Sequence, residues 1–413
     1  MFKNKKFRKY ALAVVLVGFV LEYFYAGLQT DHLNVITPYL TNTYGWTTTQ
    51  ITNPITFGGL VSIAVYLVTA TAFIRFGIKR FMIPTLSLIT LSVVGLALSN
   101  GNYIIYFISI FVLRSITGTL SLAAMNLCTN WFSRYRGRAL GIIVVGPPMF
   151  TCTGTALLTL GVESRLGFCG TYLMVGVILA VCVFMFIRVI FDSPEAVGLK
   201  PDGEDTEAEQ VEEVPSIVLP LKELLRHKES WLMMVAFAIF NFAGTCYIGF
   251  YAASLIQCGV EQSVYLPALT VGAIVAFPVS FLIGAVVDRF GTCWASLICM
   301  LVDLIPAAVY LFVPNKNFFF CALIMFCAAG MGGAYGSVMP TMITTFFGRA
   351  RYNSANRWIF TFYAIAMSFA ALYMSYFLDH TLATAYVILF ILIAIGAACS
   401  LALQFIGKPL YKD

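Results

Sequence analysis

The sequence predicts an all-α membrane protein in which twelve transmembrane helices form two pseudo-symmetric six-helix bundles. Three observations carry this prediction. The 413 residues are 60% hydrophobic and only 11% charged, where a soluble domain holds roughly 25% charged residues. Apolar runs of about 20 residues recur along the chain without period-two alternation, and in hydrocarbon such runs satisfy their backbone as helices rather than as a barrel. Finally, several landmarks repeat at one spacing across half the chain.

The runs follow in order. The first, 10–36, comes after "MFKNKKFRKY"; it is too long for a signal peptide and has no small-residue cleavage site, so it reads as a retained span. Runs 51–74 and 80–100 flank "RFGIKR", and runs 103–129 and 138–162 flank "NWFSRYRGR". Pro147 and Pro148 predict a kink in the fifth run, because proline removes backbone donors. Run 167–191 ends an N-terminal bundle of 1–191. An acidic linker, 192–230, holds "DSPEAVGLKPDGEDTEAEQVEEVPS", which is too polar to bury a core and reads as a solvated tether. Its last part, "PLKELLRHKESW", predicts a short amphipathic helix at the membrane surface. A C-terminal bundle, 231–413, holds runs 231–256, 265–287, 292–314, 318–346, 356–378 and 383–407. Gly244 and Gly249 are the expected bend points of its first helix. The eleven cysteines lie mostly inside runs, without CxxC or metal-ligand spacing, and read as small buried hydrophobes.

Charge sets the orientation. With a cytoplasmic N-terminus, 22 of the 25 Lys and Arg lie on cytoplasmic connections or termini, Arg165 and Lys316 lie outside, and Arg114 falls within the fourth run. Both termini are therefore expected on the cytoplasmic side of the cytoplasmic membrane. The basic clusters also repeat. Arg75 and Arg289, Gly77 and Gly291, and Gly118 and Gly332 are each displaced by 214; Phe132 and Phe347, Arg134 and Arg349, and Arg136 and Arg351 by 215. This register is that of an internal duplication.

Twelve helices in two related halves around a long cytoplasmic connection resemble the major facilitator superfamily. "GAVVDRFG" (284–291) is similar to that family's loop signature of Gly, Asp-Arg and Gly. The resemblance implies gating roles for Asp288 and Arg289, and for Arg75, Arg134 and Arg136 at the other basic turns. The first-half copy departs from the signature, with Ala70 for Gly and Ile74 for the acid. "NWFSRYRGRALGI" and "SPEAVGLKPDGE" resemble the branch of oxalate/formate antiporters and monocarboxylate transporters.

Ionisable residues within spans are costly, about 2.5–3.5 kcal/mol each at the bilayer centre on insertion scales, and are expected to face a cavity or a partner. Glu22, Asp31, His32, Arg114 and Asp303 are the candidates. From helical rise, Glu22 lies roughly 18 Å and Arg114 roughly 22 Å from the cytoplasmic ends of their spans. They are expected either to share a substrate or to form a structural ion pair. Glu22, Tyr25, Gln29 and His32 fall on one helical face, and Arg114, Thr117 and Ser121 align on another. Arg114, Tyr25, Gln29, Thr117, Asn241, Tyr247, Tyr251 and Tyr335 form the expected substrate-binding set. Glu22 and His32 are the expected proton-coupling groups, with His32 near the outer mouth. Asp303, on a peripheral helix, is expected to make a structural hydrogen bond.

The resulting expectation is a monomeric secondary transporter for a small organic anion, a monocarboxylate, working by alternating access and coupled to a proton or a counter-anion. A single mid-membrane cation suits a monoanion, because each buried charge calls for a partner. Two alternatives stay open: efflux of hydrophobic drugs or neutral metabolites, and a sensor that does not transport, though the short tail "GKPLYKD" is expected to hold no signalling domain. The sequence holds no nucleotide-binding loop, metal motif or nucleophile elbow. Neither an enzyme, a cofactor, a metal nor a nucleic-acid partner is expected; the lipid bilayer is.

Overall fold

A computed structural model describes residues 5–132, 136–199, 219–407 and 410. The centre of the acidic linker, 200–218, lies outside them. Among the described residues the regular structure is helical, with no strand, and eleven helices are long and apolar enough to cross a membrane. The eighth expected run is the pair α14 (Gln262–Ala276) and α15 (Val279–Phe290), interrupted at Phe277 and Pro278. Every expected run thus has a helical counterpart.

By contacts, the chain divides into two compact units, Met1–Val35 with Phe57–Val211, and Ile36–Thr56 with Glu212–Asp413. The second unit therefore takes in a segment, 36–56, that lies within the expected N-terminal bundle.

From the first unit, α1 (Lys5–Ala26) continues through a π-helical segment, Gly27–Asp31, into α2 (Leu33–Tyr44), most of which belongs with the start of α3 to the second unit. The helix therefore runs beyond its expected end at 36, because Asn34 and Thr37 stay within it. Next come α3 (Thr48–Phe76), α4 (Ile78–Ala97), α5 (Tyr103–Ile116) and α6 (Gly118–Trp131). The fifth run is broken into α7 (Arg136–Ile143), α8 (Gly146–Met149), a second π segment, Phe150–Gly154, and α9 (Thr155–Glu163). The kink expected at Pro147 and Pro148 takes this form: two missing donors start a short helix whose hydrogen bonding then slips by one residue. The unit closes with α10 (Gly167–Arg188). Within it α1 packs on α6, α7 and α8, and α4 packs on α5 and α10.

The second unit contains α11 (Leu221–Leu224), α12 (Lys228–Gly249) and α13 (Tyr251–Gln257), then α14 and α15, then α16 (Thr292–Phe312), α17 (Phe318–Asp379) and α18 (Leu382–Ile406). The amphipathic stretch expected before the seventh span is the single turn α11. That span breaks at Phe250, beside Gly249, while Gly244 sits in regular helix. Gly348, at φ 73°, divides the long α17 into two spans. All eleven cysteines are free thiols and none is exposed.

The duplication is visible in the backbone. Gly77 and Gly291, 214 residues apart, both precede a helix, at φ 83°, ψ 154° and φ 92°, ψ 165°. A side chain is strained there, so glycine is retained in both halves. Neither glycine caps its helix with a side chain, and in the first half a distant acid does so. Asp192 accepts from the backbone N–H of Lys79 at 2.6 Å, and a Cβ on Gly77 would collide with the same carboxylate. The carbonyls of Phe191 and Asp192 take Trp131 Nε1 at 2.9 Å and Asn130 Nδ2 at 3.0 Å, which ties α6 to the same corner. Asp379 plays a similar part in the second unit. Its carboxylate accepts from the N–H groups of Thr48 and Thr49, at 3.3 Å each, and from Thr49 Oγ1 at 2.8 Å, at the start of α3.

A capping acceptor is worth about 0.5–2 kcal/mol. Asp192→Ala is expected to lower the midpoint of thermal unfolding in detergent, and Asp192→Asn, which keeps an acceptor oxygen, to retain most of it.

Candidate functional site

The site grows from one face of α1 and its π segment, set against α5 and α6 in the first unit. Glu22 is 3% exposed, and Ser121 Oγ on α6 donates to its Oε1 at 2.6 Å. Arg114, in the last turn of α5, is 5% exposed, and its Nε has no hydrogen-bond partner. Among the described residues no carboxylate lies at ion-pair distance from its guanidinium; Glu22 is held by Ser121 instead. The structural ion pair left open by the sequence does not form. A buried cation without a countercharge is expensive, so the position is held by packing. Gly58 on α3 allows the approach: a Cβ there would stand 2.7 Å from the carbonyl of Phe111 and 2.9 Å from Arg114 Cβ.

Around Arg114 the expected polar face is present. Tyr25 hydrogen-bonds Gln29 and lies within electrostatic reach of Arg114, Glu22 and Tyr66. His32 also lies within reach of Arg114. Its Nδ1 donates to the carbonyl of Gly27 at 2.9 Å and its Nε2 is buried without a partner. His32, expected near the outer mouth, is 2% exposed, and the helix continues past it. The structure therefore brings together Glu22, Tyr25, Gln29, His32 and Arg114, and adds Ser121 as the partner of Glu22.

Other expected site residues spend their polar atoms locally. The Thr117 hydroxyl donates to the carbonyl of Leu113 on its own helix, at the break between α5 and α6. In the second unit Tyr247 donates to the carbonyl of Asp303 at 3.2 Å and Tyr251 to that of Cys321 at 3.0 Å. Tyr335 pairs with Ser296 at 3.1 Å and stacks on Phe240, with ring centroids 3.7 Å apart. All three tyrosines are within 1% of full burial, in the core of the C-terminal helices rather than on a wet face. Aromatic mass wins over the hydroxyl here, since a neighbouring carbonyl is enough to satisfy it. Half-buried Asn241 gives its Nδ2 to the carbonyl of Phe237 at 2.8 Å. Asp303 corrects its expectation differently, for neither carboxylate oxygen has a hydrogen-bond partner.

Of the gating set, Arg75 and Arg289 are exposed, each with its guanidinium 5.4 Å from the ring centroid of the following residue, Phe76 or Phe290. Arg134 and the side chains of Arg136 and Asp288 lie outside the described residues.

The model of the Major Facilitator Superfamily matches residues 19–357 of this sequence. The chain belongs to that superfamily. Membership makes it a secondary transporter working by alternating access, and not an enzyme. Among solved structures, a bacterial homolog of the human lysosomal transporter Spinster, in an inward-facing and unoccupied conformation, matches with a TM-score of 0.66. It is 16% identical, and the match covers 99% of each chain. That likeness is one of fold. No curated protein matches the sequence significantly.

Removing an unpaired buried charge relieves a cost, whereas breaking a buried ion pair loses about 3–5 kcal/mol. Arg114→Met is therefore expected to leave the thermal midpoint of the purified protein unchanged or higher, a result that a structural ion pair would reverse. Gly58→Val is expected to cost about 1–3 kcal/mol by overpacking α3 against α5, read as a lower midpoint in the same assay.

Proposed function

We propose that this transporter carries a small organic anion, a monocarboxylate, in exchange or symport with a proton, across the cytoplasmic membrane. One observation carries the reading: Arg114 is a buried cation with no carboxylate at ion-pair distance among the described residues, and its Nε has no hydrogen-bond partner. An anionic substrate supplies that charge. A single cation matches a single carboxylate, with Tyr25 and Gln29 as neutral hydrogen-bonding groups beside it. The resemblance of "NWFSRYRGRALGI" and "SPEAVGLKPDGE" to the oxalate/formate and monocarboxylate branch supports the same substrate class.

Glu22 carries the coupling proton in this reading. A low dielectric favours the neutral form of an acid and a neighbouring cation its charged form. In this reading an anion bound at Arg114 brings negative charge to the polar face that Glu22 shares, and Glu22 takes up a proton. Ser121 serves both states, since its hydroxyl donates to the carboxylate and accepts from the acid. The Lys and Arg distribution supports cytoplasmic termini, with Arg75, Arg134, Arg136, Asp288 and Arg289 at the gating turns of that face.

The test is uptake of short monocarboxylates into proteoliposomes under an imposed pH gradient. Arg114→Ala is expected to reduce uptake at least about tenfold, equivalent to ~1.4 kcal/mol, with a neutral amide analogue unaffected by the substitution. Glu22→Gln is expected to abolish accumulation driven by the gradient while exchange of substrate for substrate continues. Equal transport of neutral and anionic analogues by the unmodified protein would turn the reading toward efflux of neutral compounds.

A further inference from the structure

The two π segments of the first unit, Gly27–Asp31 and Phe150–Gly154, pack against one another. At their contact Thr151 Oγ1 donates to Asp31 Oδ2 at 2.6 Å. The same hydroxyl lies 3.3 Å from the carbonyl oxygen of Pro147, one turn earlier on its own helix. Thr151 and Asp31 are 6% and 3% exposed. The hydroxyl has one proton and two acceptors, the nearer of which is a carboxylate. Close approach is built in: a Cβ on Gly27 would overlap the ring of Phe150. The reading above uses Glu22 and leaves Asp31 without a role.

We propose that Asp31 is a second proton-binding site of this transporter, and that Thr151 relays its protonation state into the π segment of the fifth span. With Asp31 ionised, Thr151 donates to Oδ2 and the Pro147 carbonyl stays the remote acceptor. When a proton from water joins Oδ2, the new acid O–H donates to Thr151 Oγ1. Thr151 then turns its own proton to the Pro147 carbonyl. One proton is added, none is lost, and two hydrogen bonds replace one. The second bond joins Thr151 to Pro147 within one helix, which favours a tighter turn where the π segment is wound loosely.

Several titratable or charged groups surround Asp31. His32 adjoins it in the chain, with Nδ1 on the Gly27 carbonyl and Nε2 open. Tyr23 on α1 and Cys152 on the facing π segment lie within its electrostatic reach. Tyr23 in turn bonds Thr153 at 3.2 Å. Arg114 lies on α5, which also packs against the Gly27–Asp31 segment. Glu22, two turns earlier on α1, bonds Ser121 on a different helix, so the two acids report to different partners: Glu22 to α6, Asp31 to the fifth span.

The inference extends the proton-coupled reading and is tested without transport. Infrared difference spectra of the purified full chain in lipid nanodiscs, titrated with acid and base, report carboxyl protonation directly. Asp31→Asn is expected to remove one protonated-carboxyl band, and Glu22→Gln to leave that band in place. Thr151→Val is expected to keep the band but change its frequency. It also moves the titration midpoint about one pH unit toward higher pH, a tenfold change in proton affinity, because the ionised form loses its donor. A wild-type titration in which Asp31→Asn removes nothing would overturn the proposal, as would a Thr151→Val variant with an unmoved band. Should Asp31→Asn fail to fold, Thr151→Val decides alone. Loss of gradient-driven uptake in Glu22→Gln, with the Asp31 band intact, bears on the earlier reading only.

Discussion

A charge inside hydrocarbon is tolerated only where something answers it, and the first unit is organised around that constraint. Arg114, Glu22 and Asp31 are all nearly inaccessible, yet none is answered by an opposite charge from the protein among the described residues. The two acids each receive one hydroxyl, Ser121 or Thr151. Hydroxyls suit such positions because they donate to an ion and accept from an acid, so a group can change charge without losing its neighbour. The cation's Nε has no such partner, and in the proposed function the substrate supplies the missing charge.

Backbone irregularity is concentrated at the same place. Away from it the spans of the first unit are mostly regular helix. Next to the charged cluster the first span slips into a π turn, the fifth is broken by two prolines and a second π turn, and the fourth breaks at Thr117. Such interruptions are acceptable in lipid only where protein covers the freed backbone groups. Their gathering around the buried ions gives this region alternative hydrogen-bond patterns that a straight helix lacks.

The spans, the duplication and the polar face of α1 were legible in the sequence because each depends on periodicity or length. Glu22, Tyr25, Gln29 and His32 lie on one face for the same reason. Tertiary hydrogen bonds were not legible. Nothing local announces that Asp192 closes the start of α4, or that Asp379 closes the start of α3; each acceptor lies far along the chain from its donor. Tyr247, Tyr251 and Tyr335 misled for the opposite reason. A tyrosine in a membrane helix reads as a polar tip in search of water, but in these cases a nearby carbonyl or hydroxyl supplies the tip while the ring fills the core. The burial of His32 was not legible either, since the helix carries on past it to Tyr44.

The corner made by Gly77, Lys79 and Asp192 also bears on how the protein is made. The acceptor enters the chain 113 residues after the donor it serves. At about 5–20 residues per second, that interval is on the order of 10 s, during which the Lys79 N–H lacks this acceptor. The acceptor of that corner is therefore made only after the last span of the first unit, α10, has been synthesised.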